Sequence, residues 1–231
     1  MNDIKQQARR AGFLYLAIVL IAPIGLMYVP GELIVSGNAT ATADNIRASQ
    51  GLFRLGMASE LVHQVIGVFL VLALYGLFKP VNEGLARLLV VFGALLSVPI
   101  VFVNVLNDLA ALTLVRGPEF LSVFDQAQRD ALAYLFVRQH SSGITVASIF
   151  WGLWLFPFGL LVVRCRFIPP VFGYLLLVAG SAYLAAAFAA IALPQFSPIV
   201  AKIALPLEVA ELPVVFWLLI RGARPVPAHA G

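Results

Sequence analysis

Leu52-Phe53-Arg54-Leu55-Gly56-Met57-Ala58-Ser59-Glu60-Leu61-Val62-His63-Gln64 continues without a turn signal through Val65-Ile66-Gly67-Val68-Phe69-Leu70-Val71-Leu72-Ala73-Leu74-Tyr75-Gly76-Leu77-Phe78 and stops at Lys79-Pro80. A bilayer core about 30 Å thick is crossed by about 20 apolar residues of helix, so this stretch is long enough to span a membrane. A transmembrane barrel strand would alternate polar and apolar side chains over about ten positions. This run is longer and does not alternate, which leaves a helix that satisfies its own backbone in lipid.

Outward from this span, five more runs of the same kind lie at 11–29, 88–115, 140–163, 171–193 and 199–220. Turn signals part them, notably Lys79-Pro80-Val81-Asn82-Glu83-Gly84 and Phe167-Ile168-Pro169-Pro170, where proline stops the preceding helix. The composition agrees: of 231 residues, 61% are hydrophobic and 11% charged, with a mean hydropathy of +0.97. A soluble domain carries about 25% charge, so an ordinary soluble domain is excluded, as are a disordered chain and a disulfide scaffold. The expected fold is all-α, a polytopic membrane bundle of six helices forming one multipass domain over 1–231, with a disordered C-terminal tail from about 222.

Lys5, Arg9 and Arg10 before the first run also fit a secretory signal, but the small-residue pattern Ala39-Thr40-Ala41 lies well beyond it, and an uncleaved helix is expected. With the N-terminus inside, the inner side holds Lys5, Arg9, Arg10, Lys79, Arg87, Arg164, Arg166, Arg221 and Arg224, nine of the fifteen basic residues. That asymmetry predicts both termini on the cytoplasmic side. The net charge of +4 forms no basic stripe, so no nucleic-acid partner is expected beside the lipid bilayer.

Between the first two spans, residues 37–47 read as a loop entering a short helix, with Thr42 or Asp44 able to cap it. Residues 118–137 carry Phe120, Leu121, Phe124, Ala127 and Ala131 at helical spacings and are expected to lie along the membrane surface. Asn38-Ala39-Thr40 accepts a glycan only in a eukaryotic secretory route. Cys165 is the single cysteine, which excludes an intrachain disulfide; Arg164 and Arg166 beside it are able to lower its thiol pKa, and a structural role is the plainer reading.

Asn45-Ile46-Arg47-Ala48-Ser49-Gln50-Gly51-Leu52-Phe53-Arg54-Leu55-Gly56 and Leu74-Tyr75-Gly76-Leu77-Phe78-Lys79-Pro80-Val81-Asn82 together resemble a bacterial membrane family, domain of unknown function 4386. His140, Phe150-Trp151-Gly152-Leu153, Ile168-Pro169 and the run from Gly173 to Leu184 are similar to it as well, so the likeness covers 8–222. The resemblance implies a multipass helical protein of the bacterial inner membrane and brings no activity with it. That family's segment after His140 is often rich in glycine and tyrosine, whereas here it reads Ser141-Ser142-Gly143-Ile144.

Ionisable groups at membrane depth cost at least about 2.5–3.5 kcal/mol, which makes them the most informative residues of the chain. Glu60, His63 and Gln64 share one helix face through i, i+3 and i+4 spacing; Asn104, Asn107 and Asp108 share another; His140 opens the fourth span; Glu208 and Glu211 recur on the sixth. Glu60 and Glu208 both lie roughly 13 Å from the outer ends of their spans at 1.5 Å per residue. The expectation is one polar cavity, open to the outer side, shared by Glu60, His63, Asp108, His140 and Glu211. Arg54 is expected to snorkel to headgroups or to pair with Glu60.

Three readings of that cluster stand side by side. It binds a small ligand or ion, or relays protons. It holds a metal through His63, His140 and Glu60 in a membrane hydrolase, with water in an open position. Or it links helices in a structural or partner-binding subunit. Glu60-x-x-His63 is half of a dimetal bundle motif whose second copy is absent, and His140 sits nearer the interface than His63. A sphere shared by both histidines is therefore strained, and no bound transition metal is expected; no cofactor is assigned. Pro23, Pro99, Pro157 and Pro213 shape their helices. Gly173, Gly180 and the alanines at 185–187, 189 and 190 permit close helix contact, within the bundle or between two copies of the chain in a homo-oligomer. There is no Gly-rich phosphate loop, Gly-x-Ser-x-Gly elbow or His-Glu-x-x-His pair.

Overall fold

The computed structural model describes residues 2–224, which contain helices and no strand. Six helices are long and apolar enough to cross a membrane: α1 (Asp3–Leu33), α3 (Gln50–Phe78), α4 (Glu83–Arg116), α5 (Gln126–Arg164), α6 (Pro170–Ala192) and α7 (Ser197–Ile220). The short α2 (Ala39–Ala48) lies between α1 and α3. Phe13, Leu20, Phe69, Leu106 and Ile203 are among the large apolar side chains left exposed on these spans, as a lipid-facing surface requires. The expected tail from 222 begins with residues that are held: Gly222 ends α7 at φ +68°, and the Arg224 amide donates to the Phe167 carbonyl at 2.8 Å. The rest of it, 225–231, lies outside the described residues.

Two spans change register along their length. A π segment, Ile24–Tyr28, follows Pro23 in α1, and a second, Val91–Leu96, precedes Pro99 in α4. Proline has no N–H to continue the i to i−4 ladder, and a π turn is one way of absorbing the interruption.

Contacts cluster the chain into two compact units. One comprises Val19–Gln64 and Ile100–Ile144. Its apolar core joins Val29 and Leu33 of α1, Ile46 of α2, Phe53 and Met57 of α3, and Leu112 of α4. The start of α2 differs from expectation. Asn38 caps the helix, its Oδ1 accepting from the Ala41 amide at 3.0 Å, while Thr42 bonds back to Val35 and Asp44 pairs with Arg47. The helix begins one turn earlier than the sequence signals implied, so the cap moves with it.

The surface segment expected over 118–137 is instead a short 3-10 turn followed by the first turns of α5, which runs unbroken for 39 residues, or about 58 Å at 1.5 Å per residue. Asp125 and Gln128 form a reciprocal capping box at its start, with bonds of 2.8 and 2.9 Å. The buried face is also not the one read from the apolar residues: Asp130, Ala133, Val137 and His140 are buried, while Phe120 and Ala127 are exposed. Arg47 reaches Asp130 at 2.7 Å, and the Gly37 amide donates to Tyr134 Oη at 2.8 Å, so α2 and its loop are tied to α5.

The other unit comprises the chain up to Ile18, Val65–Pro99 and the part from Thr145 on. Aromatic rings of Phe78, Trp154, Phe158 and Phe167 pack in it with centroids 5.6–5.8 Å apart. The small residues of α6 are used within the chain here: a Cβ on Gly173 would lie 2.6 Å from the Gly159 carbonyl, and one on Gly180 would lie 2.8 Å from that of Gly152. Those backbones touch because nothing projects between them. Cys165, just past α5, is buried, and burial pushes its thiol pKa up from the ordinary value. Desolvation therefore outweighs the lowering by the backbone hydrogen bonds around the thiol.

Candidate functional site

Three ionisable side chains from three helices meet in the unit formed by Val19–Gln64 and Ile100–Ile144: Glu60 of α3, Asp108 of α4 and His140 of α5. His140 Nε2 lies 3.2 Å from Glu60 Oε1, and His140 Nδ1 lies 2.9 Å from Asp108 Oδ2. All three residues are buried, Glu60 to 2% exposure. Their only ion-pair partners among the described residues are one another. Glu60 Oε2 and His140 Nδ1 are nonetheless without a hydrogen-bond partner, because the approach of Asp108 to Nδ1 is close but not aligned.

Two glycines make room for this meeting. Gly25, inside the π segment of α1, sits where a Cβ would lie 2.8 Å from Glu60 Cγ and 2.6 Å from Ser59 Oγ. Gly143 sits where a Cβ would overlap Asn104 Oδ1. That close approach lets Asn104 donate to the His140 carbonyl at 2.9 Å, while Asn107 donates to Asn104 at 3.0 Å. The asparagines on α4 thus fix the backbone that carries the imidazole. The cluster lines a small recess of about 30 Å³, whose apolar walls include Val29, Leu33, Phe53 and Met57.

His63 is buried one turn from Glu60 but has other partners. Gln64 Nε2 donates to its Nε2 at 3.0 Å, which leaves Nδ1–H to donate to the Ser59 carbonyl at 3.1 Å. Both ring nitrogens are occupied within α3. Glu211 belongs to the other compact unit, in a 3-10 turn of α7 (Val209–Glu211) flanked by Pro206 and Pro213. It accepts from Tyr15 Oη at 2.6 Å and from Tyr183 Oη at 3.3 Å. Of the five candidate residues, the structure gathers Glu60, Asp108 and His140, and gives His63 and Glu211 partners of their own. Arg54 is exposed and has no ion pair with Glu60.

Sequence reasoning did not find Gly25, Gly143, Tyr15 or Tyr183. The tyrosines sit in apolar runs, where a hydroxyl barely changes the hydropathy. The glycines give as little signal, since neither has a side chain to register in the hydropathy.

Known proteins add little chemistry to this geometry. No solved structure matches the chain. An uncharacterized protein of Archaeoglobus fulgidus is 25% identical over 171 residues, an alignment that covers 71% of this chain and 86% of the relative. The family model for a domain of unknown function, DUF4386, matches residues 10–222 and so takes in Glu60, Asp108, His140 and Glu211 alike. On that match the chain belongs to the DUF4386 family.

Proposed function

We propose that this multipass helical protein binds a small cation, or the cationic group of a small ligand, at Glu60, Asp108 and His140. One observation carries the reading: two buried carboxylates share a single imidazole as their only ion-pair partner among the described residues. A charged imidazole balances one carboxylate, and a second ionised carboxylate in an apolar interior is costly unless it takes up a proton or a counter-cation. The recess beside the cluster gives such a ligand a way in. The protein is further proposed to reside in a bacterial cell membrane with both termini cytoplasmic, which turns the recess to the outer side; a reporter fused after Arg224 reads the side of the C-terminus.

A purely structural link between α3, α4 and α5 is the competing reading, favoured by the two short contacts that join these helices. Thermal unfolding of the detergent-solubilised protein separates the two. Sodium, magnesium, calcium, manganese and zinc chlorides and tetramethylammonium are compared at matched ionic strength. Under the binding reading, at least one raises the unfolding temperature by about 5–10 °C at a hundredfold excess over its Kd, and Glu60→Gln and Asp108→Asn abolish the rise. If no cation stabilises a cooperatively unfolding wild type and Glu60→Gln lowers its stability, the structural link is the correct account.

A further inference from the structure

We infer that the ligand of this site is a divalent first-row transition-metal ion, held by one nitrogen of His140 and by oxygens of Glu60 and Asp108. The inference rests on the cation reading above and names the class of cation. One donor atom from each residue lies within 4.8 Å of the other two. Neighbouring donors on one ion with bonds of about 2.0–2.2 Å stand about 3 Å apart, and the 2.9 Å between His140 Nδ1 and Asp108 Oδ2 already has that spacing.

The misalignment of that pair is informative. In a hydrogen bond the N–H points at the acceptor, whereas two ligands of one ion aim their lone pairs at a third point and approach each other side-on. His140 Nδ1 is close to Asp108 and unaligned with it, and Glu60 Oε2, on a residue only 2% exposed, has no partner at all. Two buried polar atoms in one cluster thus lack the partner that such atoms ordinarily have.

Charge and donor type select the ion. A neutral imidazole with two carboxylates carries −2, which one divalent ion balances. A nitrogen donor with two oxygens favours zinc, iron, cobalt or manganese over magnesium and calcium, which take oxygen sets. Of the two sequence arguments against a metal, the missing second Glu-x-x-His bears on a two-metal site, and the other assumed a sphere shared by both histidines. That obstacle falls away, since His63 is occupied by Ser59 and Gln64 and the set needs only His140. Three protein donors leave a position for water or another small ligand. The Asn104 bond to the His140 carbonyl and the space at Gly25 hold the donors in register.

Titration of metal-stripped, detergent-solubilised protein with cobalt(II) tests this. One equivalent is expected to bind with visible d–d absorption, and His140→Gln and Asp108→Asn are expected to weaken binding at least tenfold, while His63→Gln leaves it within twofold. Helical circular dichroism and a single size-exclusion peak qualify each variant. Pulsed electron paramagnetic resonance of manganese(II) on the wild-type protein needs no variant: coupling to an imidazole nitrogen is expected. Stabilisation by magnesium, calcium or tetramethylammonium without cobalt or manganese binding overturns the metal inference and leaves the cation site standing. Loss of cobalt in His63→Gln with retention in His140→Gln also overturns it. Failure of every cation to bind removes both.

Discussion

The hydroxyl of Tyr15 on α1 donates to Glu211 Oε2 on α7 at 2.6 Å, joining positions 196 residues apart in the chain. Tyr183 reaches the other oxygen at the looser distance of 3.3 Å. A hydrogen bond contributes about 0.5–1.5 kcal/mol, and removing its donor so that a buried oxygen is left unsatisfied costs about 1–3 kcal/mol. Tyr15→Phe is therefore expected to lower the unfolding temperature in detergent by several degrees, and Tyr183→Phe by less. Equal losses, or none, would show that the difference in distance carries no energy.

Gly25→Ala is the second prediction. The added methyl meets the Gly56 carbonyl at 2.7 Å as well as Ser59 and Glu60, and backbone cannot swing aside as a side-chain tip can. Overpacking of this kind costs about 1–3 kcal/mol. The variant is expected to be less stable and to bind cobalt more weakly than wild type, whereas Gly31→Ala, where a Cβ meets nothing within 4 Å, is expected to change neither. Thermal unfolding and the cobalt titration are the measurements.

Asp130 is 2% exposed, and Arg47, its partner, is one-third exposed and also pairs with Asp44. Because Arg47 keeps a second carboxylate and some water, Asp130→Asn is expected to cost about 1–2 kcal/mol, less than the about 3–5 kcal/mol of a fully buried broken pair. The loss should be local. Amide exchange should quicken over Ala39–Ala48 and remain unchanged in α6; uniform quickening would mean that the pair holds the whole fold.

Cys165 supplies the pH prediction. Burial raises its pKa, so the reactive thiolate is scarcer at neutral pH than in an ordinary cysteine, and labelling should accelerate as pH rises towards the raised value. N-ethylmaleimide at pH 7 is expected to react with the folded protein at least tenfold more slowly than with the protein unfolded in dodecyl sulfate. Equal rates would mean that Arg164 and Arg166, and not burial, set the thiol's behaviour.

The six spans were legible because a run of about 20 apolar residues has few other uses in a folded chain. The polar cluster was legible for the converse reason, that Glu60, Asp108 and His140 are expensive where they stand. What the sequence could not supply was rotation. Depth along a helix follows from counting at 1.5 Å per residue, but the direction of a side chain about the axis depends on packing, and so Glu211 was grouped with Glu60 by depth alone. The start of α5 was misread in a related way. Phe120, Phe124, Ala127 and Ala131 form an apolar stripe, yet the buried stripe is the one with Asp130, because Arg47, 83 residues away in the chain, neutralises it. Glycines such as Gly25 and Gly143 were silent because hydropathy measures what a side chain contributes, and theirs is the absence of one.

The π segment Ile24–Tyr28 holds Gly25, and the turn that follows it carries Val29 and Leu33. A π turn accommodates one residue more than the α turn it replaces, and each residue of an α-helix advances the azimuth by about 100°. The segment therefore acts as a phase adjuster. Within the unit formed by Val19–Gln64 and Ile100–Ile144, it lets one stretch of helix satisfy two appointments, Gly25 with Glu60 and Val29 and Leu33 with the apolar core, that a uniform α-helix of the same sequence would hold out of step. Excising a single residue from it would keep the span long enough for a bilayer while forfeiting one appointment or the other.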